Sequence, residues 1–150
     1  VPSPWRSWFC PLQPALNQQR LPQGHCQENG HDDTMRVTRL YTGDDGQSHF
    51  EDIDVPIFDH GDIGKLSKLI PATGVIFRET SGDYHYEWHN APRRQYIVML
   101  EGEVDIEVGD GTRRVFQTGD LLLAEDTTGQ GHLSRAVKGQ PRKSLFLTLD

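Results

Sequence analysis

Three ionisable side chains, His85, Glu87 and His89, occupy alternate positions in the stretch DYHYEWH that begins at Asp83. Side chains two residues apart in an extended strand project to the same face, so these three would form one row. Imidazole and carboxylate groups in such a row can bind a divalent metal ion or transfer protons. We therefore take this row as the candidate chemical centre of the chain.

The opposite face of the same strand would carry three aromatic side chains, Tyr84, Tyr86 and Trp88. The two-residue period does not decide which of the two faces points into the protein. If the aromatic side chains fill the core, the ionisable row lies in water and has no chemical role. Both interpretations remain open at the level of periodicity.

Short strands separated by turn residues account for most of the chain after Met35. We predict strands at 36–41, 48–54, 65–69, 73–79, 83–89, 94–101, 103–108, 112–117, 119–124, 131–137 and 144–149. Gly-Asp and Asp-Gly pairs supply turns between several of them. This spacing predicts an all-β fold, an antiparallel jelly-roll β-barrel over residues 35–150.

The composition changes at Met35. Residues 1–34 are rich in Pro and Gln, show no sustained hydrophobic period, and hold both cysteines of the chain, Cys10 and Cys26. We expect this segment to be a disordered tail, or an extension from cloning or the gene start; the alternative is an arm that packs on a neighbouring subunit. It lacks the basic and apolar regions of a signal peptide. The cysteines have no CxxC spacing, so we expect no disulfide framework.

The overall charge limits the partners of the protein. The 150 residues carry a formal net charge of -7, and the pI is near 5.4. Binding to nucleic acid or anionic lipid needs clustered Lys and Arg, which this balance does not favour. No run of about 18 apolar residues is present to span a bilayer. We expect a soluble, cytoplasmic domain that binds a small molecule rather than nucleic acid or a membrane.

The region after the candidate row resembles the cupins, a family of small β-barrels whose first motif reads G-x5-HxH-x3,4-E-x6-G. Gln95 to Gly102 reads Q-x6-G in the place of E-x6-G. Counting back from Gly102, His89 matches the first His of the motif and Ala91 stands where the second His would be. If the loop is longer than usual, Glu87 and His89 take the two His places.

The second cupin motif, G-x5-PxG-x2-H-x3-N, has a weaker counterpart. Gly119 and Asp120 open a strand, and His132 follows about two residues later than the pattern requires, without the proline. Gly129 and Gly131 supply turn flexibility instead.

The resemblance implies a divalent metal ion inside the barrel, Fe, Mn, Ni or Zn, with Glu87, His89, Gln95 and His132 as its ligands. It places His85 nearer the mouth of the barrel, where His85 and Glu87 would act as catalytic proton-transfer groups. The alternative is that Ala91 and Gln95 record a lost metal site. Strands 94–101 and 119–124 are apolar on both faces, which favours a homodimer formed through the outer face.

Three classes of function fit this interpretation. The first is a metal-dependent enzyme of the oxygenase, isomerase or lyase type that acts on a small polar molecule. The second is a metal-free enzyme in which the histidines and Glu87 transfer protons. The third is a ligand-binding or sensory barrel without turnover. Arg93 and Arg94 could bind an anionic ligand, although arginine beside a turn proline is more typical of a solvated residue.

Overall fold

The computed structural model describes residues 33–150, and the structural statements below concern these residues. The segment predicted as a tail lies outside the described residues except for Asp33 and Thr34, and Thr34 already begins the first strand. The strands are β1 (Thr34–Thr42), β2 (Ser48–Pro56), β3 (Phe58–Asp59), β4 (Lys65–Leu66), β5 (Gly74–Thr80), β6 (His85–His89), β7 (Gln95–Glu101), β8 (Val104–Glu107), β9 (Arg113–Phe116), β10 (Leu121–Glu125), β11 (His132–Ala136) and β12 (Arg142–Thr148). A 3₁₀ turn, Gly61–Ile63, joins β3 to β4.

Two sheets form the barrel. The larger has the strand order β2-β1-β10-β7-β12-β5, and the smaller has the order β6-β11-β8-β9. Strands β3 and β4 pair separately as a two-stranded ribbon. None of the helical segments in residues 33–150 has the length and apolar character needed to cross a bilayer. The all-β prediction is confirmed.

One strand pair departs from the predicted antiparallel arrangement. Strand β1 runs parallel to β10, with Thr38 opposite Leu122 and Leu40 opposite Ala124. The other pairs in the described sheets are antiparallel. The pairs of consecutive strands, β1–β2, β3–β4 and β8–β9, are joined by short connections that require opposite directions. Because β1 and β10 are far apart along the chain, no hairpin constrains their relative direction.

The hydrophobic core fills part of the space between the two sheets. Its buried members come from both sheets: Leu40, Met99, Val104, Ile106, Val108, Phe116 and Leu122. Phe50 packs on this cluster, with its ring centroid 6.1 Å from that of Phe116. Burial of each large apolar side chain stabilises the fold by roughly 1.5–3 kcal/mol. The rest of the space between the sheets remains open as a cavity.

A β-bulge interrupts the pairing of β6 with β11. His89 lies opposite His132, and Tyr86 lies opposite Ser134. The two β6 residues are three positions apart while the two β11 residues are two apart, so β6 contains one extra residue. An extra residue shifts the alternation of side chains by one position. As a result, Tyr86 before the bulge and His89 after it point to the same side of the sheet.

The outer face of the larger sheet carries two rows of apolar side chains. The strand register aligns Phe77, Leu145, Val98 and Leu121 in one row, and Val75, Leu147, Tyr96 and Leu123 in the next. Phe77, at the edge strand β5, is 83% exposed. Large contiguous apolar surface is unusual on a monomer. The homodimer stays a prediction, and this face includes the two strands from which it was inferred.

Replacing Phe77 by lysine tests that prediction. If two copies meet through this face, Phe77→Lys places a charge in the interface and converts the dimer to a monomer, measured by light scattering at micromolar concentration. Val115→Lys is the matched control, because Val115 is also exposed (53%) but lies on the smaller sheet. A monomeric mass for the unsubstituted protein would refute the dimer.

Candidate active site

A cavity of about 270 Å³ lies between the two sheets. Its polar lining comes mainly from β5, β6, β11 and β12 and from the segments beside them: Arg78, Tyr84, Tyr86, His89, Asn90, Gln95, His132, Ser134, Arg142 and Ser144. Core side chains from both sheets, such as Leu40, Ile106 and Leu122, form the apolar wall of the cavity. A cavity with one apolar wall and a few converging polar groups is typical of a small-molecule site.

His132 is held by a buried carboxylate. Asp126, which directly follows β10, has 0% exposure and accepts hydrogen bonds from His132 Nδ1 at 2.6 Å and from Ser48 Oγ at 2.9 Å. Because Nδ1 is used in this way, Nε2 is the ring nitrogen left for a ligand. A carboxylate in this position fixes the orientation of the ring and stabilises positive charge that develops on it.

His89 lies beside His132 on the same wall. The centroids of the two rings are 4.3 Å apart, and the Tyr86 ring lies 3.9 Å from His89 on the other side. His89 Nδ1 donates to the backbone oxygen of Glu87 at 2.6 Å, so Nε2 is again free. Burial is the main cause that lowers the pKa of His89, and the positive charges of His132 and Arg78 lower it further. The site therefore favours the neutral form of His89.

Glycine at position 131 permits this close approach of β11 to β6. Gly131 has a φ of 78°, and a Cβ there would collide with the backbone of His89. The sequence alone marks Gly131 only as a flexible turn residue. Its lack of a side chain is what allows His132 to reach the end of β6.

His85 and Glu87 do not reach the cavity. Both side chains are exposed, and His85 Nε2 lies 2.9 Å from Glu87 Oε1 on the opposite face of β6. The bulge is the physical reason, because it separates His89 from the row that regular alternation predicts. This corrects the expectation that His85 and Glu87 converge with His89 inside the barrel. Their catalytic role, and the metal-ligand role of Glu87, remain predictions without support from this geometry.

Gln95 does line the cavity, as expected. It is buried, and its Oε1 atom has no hydrogen-bond partner among the described residues. Ala91, in the place of a motif histidine, is also part of the wall. His89, Gln95 and His132 are thus the three predicted ligands that the fold brings to one cavity.

Two arginines in the cavity wall were not identified from the sequence. Arg142 is 7% exposed, and its guanidinium carbon lies 4.7 Å from the centroid of the Tyr84 ring. Arg78 lies near the same ring, at 5.3 Å. By contrast, Arg94, which the sequence did suggest, pairs with Glu125 Oε1 at 2.7 Å on the outer face. The sequence indicates a cavity position for Arg142 only through the alternation of Arg142, Ser144 and Phe146 along β12, which puts the three side chains on one face.

The donor set fits the implied metal ion poorly. His89 and His132 have the outer hydrogen bonds that metal-bound histidines usually have. However, no group of three His, Cys, Asp or Glu residues in 33–150 is arranged to hold a metal ion. Gln95 offers a neutral amide oxygen, Glu87 points away, and Arg78 and Arg142 bring positive charge to the same wall. We therefore derive no chemical step through a metal.

No family model matches the chain, and no curated protein matches it significantly. Several solved structures are similar to the chain. A cupin-2 domain protein from Rhodospirillum rubrum is similar over 94% of this chain and 80% of its own, with 14% identity and a TM-score of 0.40. A cupin domain from Schizosaccharomyces pombe is similar over 80% and 86%, with 12% identity and a TM-score of 0.42. The iron(II) enzyme HppE is similar over 49% and 44%, with 19% identity and a TM-score of 0.38. The described residues form two facing sheets around an internal cavity.

The buried Asp126 gives a test of how the site is held together. We expect Asp126→Asn to lower the free energy of unfolding by about 1–3 kcal/mol, because a neutral amide oxygen is a weaker acceptor than a carboxylate and the amide NH2 group would be buried where Oδ1 now has no partner. Urea unfolding measures the change. The control is Asp54→Asn, because Asp54 forms an exposed ion pair with Arg36 and such pairs contribute little. Equal stability of the Asp126 variant and the unsubstituted protein would contradict this role.

His89 predicts a pH dependence of stability. The folded state keeps His89 neutral to a lower pH than the unfolded chain, whose histidines titrate near pH 6.5. Its contribution is therefore complete above about pH 6.5 and decreases as the pH falls toward the folded-state pKa. We expect His89→Gln to reduce the loss of Tm between about pH 7 and pH 5. His85→Gln, on the exposed face of the same strand, is the control; an unchanged pH profile for His89→Gln would contradict the prediction.

Proposed function

We propose that this barrel binds a small polar molecule in its cavity and moves protons to or from it through His89 and His132, as a metal-free isomerase or lyase does. The observation that carries the proposal is the pair of neighbouring imidazoles on one wall of the cavity. Each ring has Nδ1 committed to the protein, to Glu87 O or to Asp126, so both Nε2 atoms remain for the ligand.

The two histidines have different hydrogen-bond partners, a backbone oxygen for His89 and a carboxylate for His132, which suits an acid–base pair. His89 favours the neutral form and can accept a proton from a ligand C–H or O–H bond. His132, backed by Asp126, can carry the positive charge and return a proton to a neighbouring atom of the ligand. The electron pair left by the first proton shifts along the ligand to the atom that receives the second. Because both rings lie on one wall, both transfers occur on one face of the ligand.

Tyr86 contributes to the position of His89. Its ring is in contact with the imidazole and is itself 52% exposed, which places this pair at the mouth of the cavity. The apolar side chains in the lining lower the polarity of the cavity, which strengthens charge interactions inside it.

A divalent metal ion is the second candidate, and one observation favours it. Both free Nε2 atoms belong to rings whose Nδ1 atoms are bonded to oxygen, as in metal-bound histidine, and the unpartnered Gln95 Oε1 lines the same cavity. Elemental analysis of protein purified without chelator and without an affinity tag decides it. A stoichiometric metal that is lost in the His89→Ala, His132→Ala double variant would support this candidate over the metal-free one.

Proton transfer is tested by exchange. The protein is incubated in D2O with a panel of small hydroxy and keto acids, and NMR follows the loss of carbon-bound protons. For a ligand that exchanges, we expect His89→Gln and His132→Gln to slow the reaction on the order of 100-fold or more. His85→Gln is the control and should keep the full rate. If the panel binds and no proton exchanges, the barrel is a binding protein without turnover and the proposal is wrong.

A further inference from the structure

The charge inside the barrel is opposite to the charge of the chain. The chain carries a formal net charge of -7, yet the cavity wall contains Arg78 and Arg142 and, within residues 33–150, no aspartate or glutamate. Buried arginine is normally paired with a carboxylate. In the described part of the chain, neither Arg78 nor Arg142 forms a salt bridge.

Arg142 is the more deeply buried of the two. It is 7% exposed, and its Nη1 atom has no hydrogen-bond partner in the described structure. Burial lowers the pKa of Arg142, with Arg78 adding to the effect. Tyr84 covers one face of the guanidinium by a cation–π contact, but the Tyr84 hydroxyl bonds with Ser134 Oγ at 2.9 Å. The ring therefore offsets part of the buried charge and leaves Nη1 without a hydrogen-bond acceptor.

Hydroxyl groups without partners lie next to this guanidinium. Strands β12 and β5 pair Arg142 with Thr80 and Ser144 with Arg78. Thr80 Oγ1 and Ser144 Oγ are both buried and have no hydrogen-bond partner among residues 33–150. Of these residues Arg142 and Ser144 line the cavity. Both can donate hydrogen bonds, and an oxyanion is the partner that accepts several at once.

We propose that Arg142, assisted by Arg78 and Ser144, binds the carboxylate of a small organic acid whose hydrocarbon part lies against the apolar wall. A carboxylate accepts a bidentate pair of hydrogen bonds from one guanidinium and balances the single deeply buried charge. A phosphate dianion would need a second buried cation, and Arg78 is only partly buried. The cavity of about 270 Å³ has room for a small organic acid.

This inference rests on the proposed function and specifies its substrate class. Arg142 and His89 lie at opposite ends of a line of rings, with Tyr84 and Tyr86 between them. A ligand held by its carboxylate at Arg142 thus presents to His89 an atom several bonds away from that carboxylate. This arrangement therefore disfavours proton transfer at the carbon next to the carboxylate.

Binding of matched acids and amides tests the carboxylate site. The probes are butanoate, hexanoate and octanoate, each compared with the amide of the same length, titrated calorimetrically against the full chain. We expect at least one acid to bind at least ten-fold more tightly than its amide. Arg142→Gln should abolish that difference, and Arg142→Lys should retain part of it, because lysine keeps the charge without the forked geometry. Arg94→Gln, an arginine outside the cavity, is the control and should bind as the unsubstituted protein does.

Several results would overturn the assignment. These are equal affinity for acid and amide, no binding of any of the three acids at millimolar concentration, and an unchanged preference in both Arg142 variants. Tighter binding of hexyl phosphate than of hexanoate by more than ten-fold would replace carboxylate by phosphate. If Arg142→Gln does not fold, the carboxylate site is still tested by Arg142→Lys and by comparing acid with amide in the unsubstituted protein. If the unsubstituted protein exchanges no protons with its ligands and His89→Gln still binds carboxylates, the proposed function is wrong. The carboxylate site at Arg142 is then still supported.

Discussion

One extra residue in β6 determines what the cavity contains. Without the bulge between Tyr86 and His89, regular alternation would place either Tyr84 and Tyr86 or His85, Glu87 and His89 on the inner face, never members of both sets. The bulge turns His89 inward after Tyr86 and brings it opposite His132. The site is therefore a mixture of the two faces that periodicity treats as alternatives. The Tyr84 ring of this site contacts Arg142, and the half-exposed Tyr86 ring contacts His89.

The second constraint is Asp126, which connects parts of the chain that are distant in sequence. Its carboxylate accepts from Ser48 and His132, and its backbone oxygen accepts from Ala91 N at 3.1 Å and from the Asn90 side chain at 3.2 Å. Ser48 and His132 both donate to its Oδ2 atom, whereas the buried Oδ1 atom has no hydrogen-bond partner among residues 33–150. The same residue thus fixes the loop after β6, the end of β10 and the orientation of His132, so the geometry of the imidazole pair depends on the packing of both sheets.

The strands could be predicted because alternation and turn residues are local signals, and the hairpin after Val104–Glu107 is an example. The parallel direction of β1 relative to β10 could not be predicted. The two strands are far apart along the chain, so their pairing leaves no local pattern in the sequence. His132 and Gln95 were found through spacing that resembles a family motif. The bulge has no marker such as glycine in YHYEWH, so Glu87 was assigned to the wrong face. Arg142 was missed because nothing local distinguishes an arginine that faces a cavity from one in water.

Acidic residues are placed so that the negative charge of the chain is compensated outside the cavity. Asp105 is buried on the outer face of the smaller sheet between Arg113 and Arg135, and Glu125 pairs with Arg39 and Arg94. Burial alone would raise the pKa of each carboxyl, but the arginines outweigh it and hold both pKa values below the ordinary range. The outer arginines are thus neutralised by neighbours, while Arg142 faces hydroxyls and an aromatic ring. Since the fold supplies carboxylates to arginines elsewhere, their absence from the cavity wall of the described domain leaves the charge there for a ligand to neutralise.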